Sequence, residues 1–179
     1  NAWIRKADIP SGMFGRYGGQ GFAVNGIGYA GLGAGAGVSS PYADFYRFDD
    51  QTNSWIRVAD YAGGKRFWTA SFVIDGTAYV GTGSKGTGEG TNDFYKYNPQ
   101  TNRWTRIADF PGAPATRATG FSVNGKGYLC LQTSEDNFWE YDPGSNSWSQ
   151  KADLPGSQRR DAIAFAIGNR GYVGTGING

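Results

Sequence analysis

Residues 102–111 read NRWTRIADFP, and the same frame returns as NAWIRKADIP at 1–10, NSWIRVADYA at 53–62 and NSWSQKADLP at 146–155. Trp3, Trp55, Trp104 and Trp148 therefore recur 52, 49 and 44 residues apart. A period of that length marks supersecondary units that stack on one another. The rest of the unit repeats as well. GFAVNG, SFVIDG, GFSVNG and AFAIGN begin at Gly21, Ser71, Gly120 and Ala164. GYAGLG, AYVGTG, GYLCLQ and GYVGTG follow from Gly28, Ala78, Gly127 and Gly171. A fourth segment occurs three times, as DFYRFD, DFYKYN and NFWEYD from Asp44, Asp93 and Asn137.

Each segment is about six residues long, aromatic or β-branched, and bounded by Gly, Asn, Asp or Pro, the pattern of strands separated by turns. Asn25-Gly26, Asp75-Gly76 and Asn124-Gly125 sit between the first two strands of their units. Both residues of such pairs accept positive φ, as a type I′ hairpin requires. The unit is thus four antiparallel strands. Phe45, Tyr46 and Phe48 put apolar groups on both faces of one strand, so the sheet needs a like neighbour on each side. Radial stacking satisfies this and gives a β-propeller, with the repeated tryptophans wedged between blades.

These residues resemble the kelch repeat. The pattern is carried here by Arg66, Tyr79, Gly81 with Gly83, Tyr97-Asn98-Pro99 and Asn102-Arg103-Trp104. The resemblance recurs along essentially the whole chain. Gly81 and Gly83 flank Thr82 where the family has a double glycine, and the third unit carries Cys130-Leu131-Gln132 instead. The fold expected is all-β: a propeller of four-stranded antiparallel kelch blades, about three and a half to four of them. The repeats fall at 1–52, 53–101, 102–145 and 146–179. With four copies of three strands and three of the aromatic strand, the expected chain is part of a larger ring. A four-bladed ring lacking one short segment, or completion by a second chain, is the alternative. With its Ala-Asp-x-Pro signature the chain is similar to secreted or surface kelch proteins of bacteria such as the Bacteroidetes. That implies a secreted, periplasmic or cell-surface location. No leader or lipid-anchor motif is visible, and the chain begins at Asn1, as a processed product or a fragment does.

Composition removes several chemistries. There are 179 residues with 30 glycines, 16% aromatics and no histidine. Without histidine no Ser-His-Asp triad, Cys-His dyad or galactose-oxidase-like copper site is possible. The single cysteine, Cys130, excludes an internal disulfide and a multi-thiolate metal site. Seventeen basic and fifteen acidic residues give a net charge of +2 with no basic stripe, which does not suit nucleic acid. No apolar run approaches the ~18 residues of a membrane span. Glu89, Asp93, Glu135 and Asp136 lack the spacing of a calcium loop. No cofactor, metal or catalytic residue is expected.

The remaining candidates lie in loops that a propeller gathers on one face. Arg16, Arg66 and Arg159 each precede a strand phenylalanine by six residues, and Arg117 precedes Phe121 by four. In an extended strand that offset keeps Arg117 on the same side. Such a ring of arginines could clamp a carboxylate or phosphate; alternatively each arginine braces its own blade through backbone carbonyls. Phe14, Tyr17, Phe67 and Trp68 crowd the same loops and suit either stacking on a sugar or packing of the loop. Loops 34–43, 84–92 and 133–136 differ in length, as a recognition surface would. The expected ligand-binding residues are Arg16, Tyr17, Arg66, Phe67, Trp68, Arg117 and Arg159. The expected function is a non-catalytic scaffold for a protein or glycan, self-association included. A sugar epimerase or mutarotase is the alternative, with Asp75 and Asp161 its nearest carboxylates.

Overall fold

The computed structural model describes residues 2–10, 15–35, 40–86, 88–131, 137–155 and 159–178. The first sheet holds β1 (Gln20–Val24), β2 (Ile27–Gly31), β3 (Phe45–Asp49) and β4 (Ser54–Val58). The second holds β5 (Ala70–Ile74), β6 (Thr77–Gly81), β7 (Phe94–Asn98) and β8 (Arg103–Arg106). The third holds β9 (Thr119–Val123), β10 (Lys126–Cys130), β11 (Phe138–Asp142) and β12 (Ser147–Gln150). All three are antiparallel and ordered as the chain runs. A fourth sheet pairs β14 (Ile163–Ile167) with β15 (Arg170–Gly174), and β13 (Arg159–Arg160) pairs β16 (Ile177–Asn178).

The innermost strands touch in succession, β1 on β5, β5 on β9 and β9 on β14. The sheets are therefore blades about a common axis, an arc of a β-propeller. Turn chemistry sets each blade. Asn25, Asp75 and Asn124 have φ of 51°, 46° and 52°, and the glycines after them are also positive, as type I′ turns need. In the fourth hairpin Gly168 alone is positive, the II′ pattern.

The Asn-x-Trp triplet is a clamp between blades. Asn102 sits at φ 51°, and its Oδ1 accepts the N–H of Ala59 at 2.8 Å. Trp104 Nε1 donates to the carbonyl of the same Ala59 at 3.1 Å. Asn146 and Trp148 hold Ala108 in the same way, at 3.0 Å for both bonds. Asn53 and Trp55 hold Ala7, at 3.0 and 2.9 Å. Each Asn-x-Trp thus grips, by its N–H and its carbonyl, the alanine four residues after the preceding tryptophan. This is why Ala-Asp recurs with Asn-x-Trp. The indoles fill the gaps beside the clamps. Trp104 lies 5.2 Å from Phe45 of the first blade and 5.1 Å from Tyr61; Trp148 lies 4.9 Å from Phe94 of the second.

Trp3 departs from this pattern. Residues 2–10 form no strand, and Trp3 is fully exposed. An outer strand forms by pairing with the aromatic strand of its own blade, as β4 pairs β3. No described aromatic strand stands beside Trp3, so its stretch forms no strand and is held by separate contacts: Lys6 on Asp50, Ala7 in the clamp, and the Pro10 carbonyl on Arg16.

Cys130 occupies a slot that is glycine in the other blades. A Cβ at Gly31 or Gly81 would fall 2.6 and 2.3 Å from Cγ of Phe45 and Phe94, the rings that lie flat on them. With a real Cβ at Cys130, Phe138 cannot sit so close. It stacks instead on Tyr128 at 5.5 Å and is less buried than Phe45 or Phe94. Cys130 is itself buried and unpaired, and burial pushes its thiol up to about 12. Against an ordinary thiol this lowers the thiolate fraction roughly a thousandfold. Maleimide is expected to label Cys130 only after denaturation; labelling of the folded chain within minutes would show the packing to be wrong.

Candidate functional site

Antiparallel bridges Tyr17↔Ala34 and Phe67↔Ser84 tie the loop before each inner strand to the loop between its second and third strands. Both sets share one face, opposite the Asn-Gly hairpins. The expected site residues all lie on it, but they divide into two groups.

Arg16, Arg66 and Arg159 are equivalent; Arg16 and Arg66 turn inward, while Arg159 is exposed. Arg66 is fully buried; its Nη1 and Nη2 donate to Asp93 Oδ1 and Oδ2 at 2.7 and 3.0 Å, and to the carbonyls of Thr82 and Gly63. Arg16 makes the same fork on Asp44, at 2.6 and 3.0 Å, with the carbonyls of Leu32 and Pro10. Burial alone would raise the carboxyls of Asp44 and Asp93. The hydrogen bonds and charge of the arginines outweigh it and hold both below the usual range. Arg159 donates to the carbonyl of Thr175, the counterpart of Thr82. These guanidiniums brace their blades. Phe67 is buried as well.

Arg117 does not belong to that set. The carbonyl of Arg66 accepts from Gly33, and the carbonyl of Ala115 accepts from Gly83, so Ala115 holds the brace position in the third blade. The carboxylate partner is absent there too, because Asn137 stands where Asp44 and Asp93 stand. Charge has been lost from both sides together. Arg117 has φ of 55°, and a left-handed residue breaks the extended run that would have kept it in register. Its equivalents are Gly18 (φ 60°), Trp68 (φ 56°) and Asp161 (φ 57°).

These four positions form a row around the axis. Trp68 N–H donates to the carbonyl of Gly18 at 2.8 Å, and Arg117 N–H to that of Trp68 at 2.9 Å, each bond crossing from one blade to the next. The side chains overlap in the same direction. Trp68 covers Gly18, where a Cβ would fall 2.8 Å from Cδ1 of the indole. The guanidinium of Arg117 lies 3.5 Å above the centre of Trp68, and its Nη1 meets Asp161 Oδ2 at 2.8 Å. Tyr17 stands beside the row, 46% exposed, with its ring 6.0 Å from Phe67 and 6.3 Å from Trp68.

Asp161 was readable only as a lone carboxylate, yet it is Arg117's partner. The sequence signal that would have placed both is the six-residue spacing to the strand phenylalanine, which lands on Ala115 rather than Arg117. Asp75 lies in the β5–β6 hairpin, at the other end of its blade. Phe14, Glu135, Asp136 and the loop 133–136 lie outside the described residues, as do 36–39 and Thr87 of the other two loops. Among the described residues no group of three or more His, Cys, Asp or Glu is placed to hold a metal, and no helix is long and apolar enough to cross a membrane.

With this geometry in place, the comparisons with known proteins agree on the architecture. The Kelch motif family matches residues 69–111, which span the second blade. The solved structure of YjhT superposes with a TM-score of 0.75 at 23% identity, over 95% of this chain and 59% of that one. The chain thus spans about three-fifths of the length of YjhT. No curated protein matches the sequence significantly. The fold is a β-propeller of four-stranded antiparallel blades carrying a kelch motif.

Proposed function

We propose that the chain is a non-catalytic binding scaffold whose ligand, a protein or a glycan, meets the loop face at Tyr17, Trp68 and Arg117. One observation carries this reading. Where the structure needs a residue it repeats it: the Asn-x-Trp clamp and the strand phenylalanine. At the row around the axis the backbone repeats but the side chains do not, running Gly, Trp, Arg, Asp. Gly18 shows that glycine suffices there. A bulky residue at positive φ costs roughly 1–3 kcal/mol and persists where the side chain has a use. Arg16, Arg66 and Phe67 support the surface from beneath, and Arg159 continues the brace. Asp161, tied to Arg117, and Asp75, at the far end of its blade, do not form the acid–base pair of a mutarotase.

The resemblance read from the Ala-Asp-x-Pro signature is the ground for proposing a place outside the cytoplasm. Further blades complete the ring in this reading. Phe72 and Phe121 lie on Gly127 and Gly171 of the next blade and are buried, whereas Phe165, their counterpart, is 51% exposed with Ile163 and Ile167 beside it. The peptide of Ala152 is where the next clamp would close.

Trp68→Gly is the test, because Gly18 shows that the backbone accepts it. It is expected to weaken the best ligand from a glycan array or displayed-peptide library by more than about fivefold, near the 1 kcal/mol hot-spot level, with little change in melting temperature. Unchanged affinity would remove Trp68 from the site, and mutarotation of a reducing sugar by the chain would overturn the scaffold reading.

A further inference from the structure

We infer that the fourth blade docks a β-hairpin of defined chemistry: a strand that opens Asp-Phe, turned into a strand that carries Asn-x-Trp. This rests on the reading that further blades complete the ring, and it is independent of the ligand at Trp68. Among the described residues β14 and β15 pair only with each other, so one edge of β15 has no neighbour. In the other three blades that edge takes the aromatic strand. Gly31 stands opposite Phe45, Gly81 opposite Phe94 and Cys130 opposite Phe138.

Three features of the blade match such a hairpin. The first is charge. Arg16 and Arg66 fork onto Asp44 and Asp93, each one residue before the phenylalanine of its aromatic strand. Arg159 is exposed, donates to the carbonyl of Thr175, and among the described residues has no carboxylate partner. An aspartate on the incoming strand completes its fork. The second is shape. A Cβ at Gly31 or Gly81 would collide with the ring of Phe45 or Phe94, but one at Gly174, their equivalent, meets nothing within 4 Å. The third is a cavity of about 140 Å³ between the third and fourth blades, where Arg117 and Arg159 meet Leu131, Leu154 and Val173. Those three apolar residues are the counterparts of Leu32, Tyr61 and Val80, against which Trp104 packs between the first two blades. A tryptophan there lies beside Ala152 as Trp104 lies beside Ala59. The backbone is already set: Thr175 and Gly176 have φ of 62° and 83°, against 57° and 87° at Thr82 and Gly83. Docking is therefore strand addition to a preformed edge. A small acid would meet Arg159 but leave Gly174 and the cavity uncovered. A second copy presents aromatic strands that are already paired on both sides.

The probe is a synthetic peptide of the sequence 93–106, DFYKYNPQTNRWTR, labelled at its C-terminus and titrated into the chain by fluorescence anisotropy. Saturable binding is expected, with slower hydrogen exchange across 170–178. Gly174→Val in the chain is expected to weaken it by about tenfold or more, because valine fills the seat of the phenylalanine. Valine suits a strand and meets open space there, so the melting temperature is expected to hold. Asp93→Asn within the peptide is expected to cost about fivefold on the wild-type chain and little on Arg159→Gln, the mark of a direct pair. Absence of saturable binding, binding that Gly174→Val leaves unchanged, or an Asp93→Asn loss that persists in full on Arg159→Gln each overturns the inference. These failures leave the further-blade reading standing. A monomer whose β15 amides are protected on both edges without peptide would remove that reading as well.

Discussion

Trp104→Ala is expected to lower the unfolding free energy by about 3–5 kcal/mol, the range of large aromatic truncations in cores. Two losses coincide at this residue. The indole contacts Phe45, Tyr61 and Tyr97 at centroid distances of 4.9 to 5.2 Å, in the cluster of Leu32, Phe45, Tyr61 and Val80 that lies between the first two blades. An aromatic of this kind buries ~150–250 Å², worth roughly 4–6 kcal/mol by area as an upper bound. Its Nε1 is also half of the clamp on Ala59, so the Ala59 carbonyl loses its donor while Asn102 still holds the N–H. Trp104→Phe separates the two effects. It keeps most of the ring and removes the donor, and it is expected to cost about 1–2 kcal/mol. Trp3→Ala is the control: Trp3 is fully exposed, and its loss is expected to leave the chemical-denaturation midpoint within error. Equal midpoints for Trp104→Ala and wild type would show that the blades are held by something else.

The clamp also shows what a repeat makes legible. Asn-x-Trp and Ala-Asp recur at a fixed offset in one line of sequence, and this was enough for strands, blade and propeller. That the two motifs touch each other across blades is not in the spacing, because a period reports equivalence and not contact. Hairpin turns were readable because Asn-Gly and Asp-Gly have a local preference for positive φ. The row of Gly18, Trp68, Arg117 and Asp161 was not, because neither Trp nor Arg has such a preference and only the fold imposes it. For this reason sequence spacing groups Arg117 with the braces. The structure moves it two positions, to the mouth, and leaves Ala115 opposite Asn137. The paired change could have been seen without coordinates: the one blade lacking arginine at the six-residue position is also the one with asparagine for aspartate. Trp3 carries the motif of an outer strand, but a strand needs a neighbour to pair with, and the motif does not supply it.

The third blade is a natural experiment on the brace, and it sets the second large effect. Asp93→Asn is expected to destabilise the chain by about 3–5 kcal/mol, because it leaves the guanidinium of Arg66 buried with no counter-charge. The pair itself is not worth that much. Both charges were taken from water to form it, and Nε of Arg66 is buried without a partner. The fork returns this desolvation cost only while both partners are present. Arg66→Met together with Asp93→Asn removes both charges and keeps much of the volume, as the third blade does with Ala115 and Asn137. The double variant is therefore expected to lose less than the sum of the two single losses by more than about 1 kcal/mol, a coupling well outside the scatter of independent sites. Urea unfolding of the two single variants, the double variant and the wild type gives the cycle directly. If the double variant loses the sum of the single losses, the brace is two independent packing contacts rather than a charge pair, and the joint substitution in the third blade needs another cause.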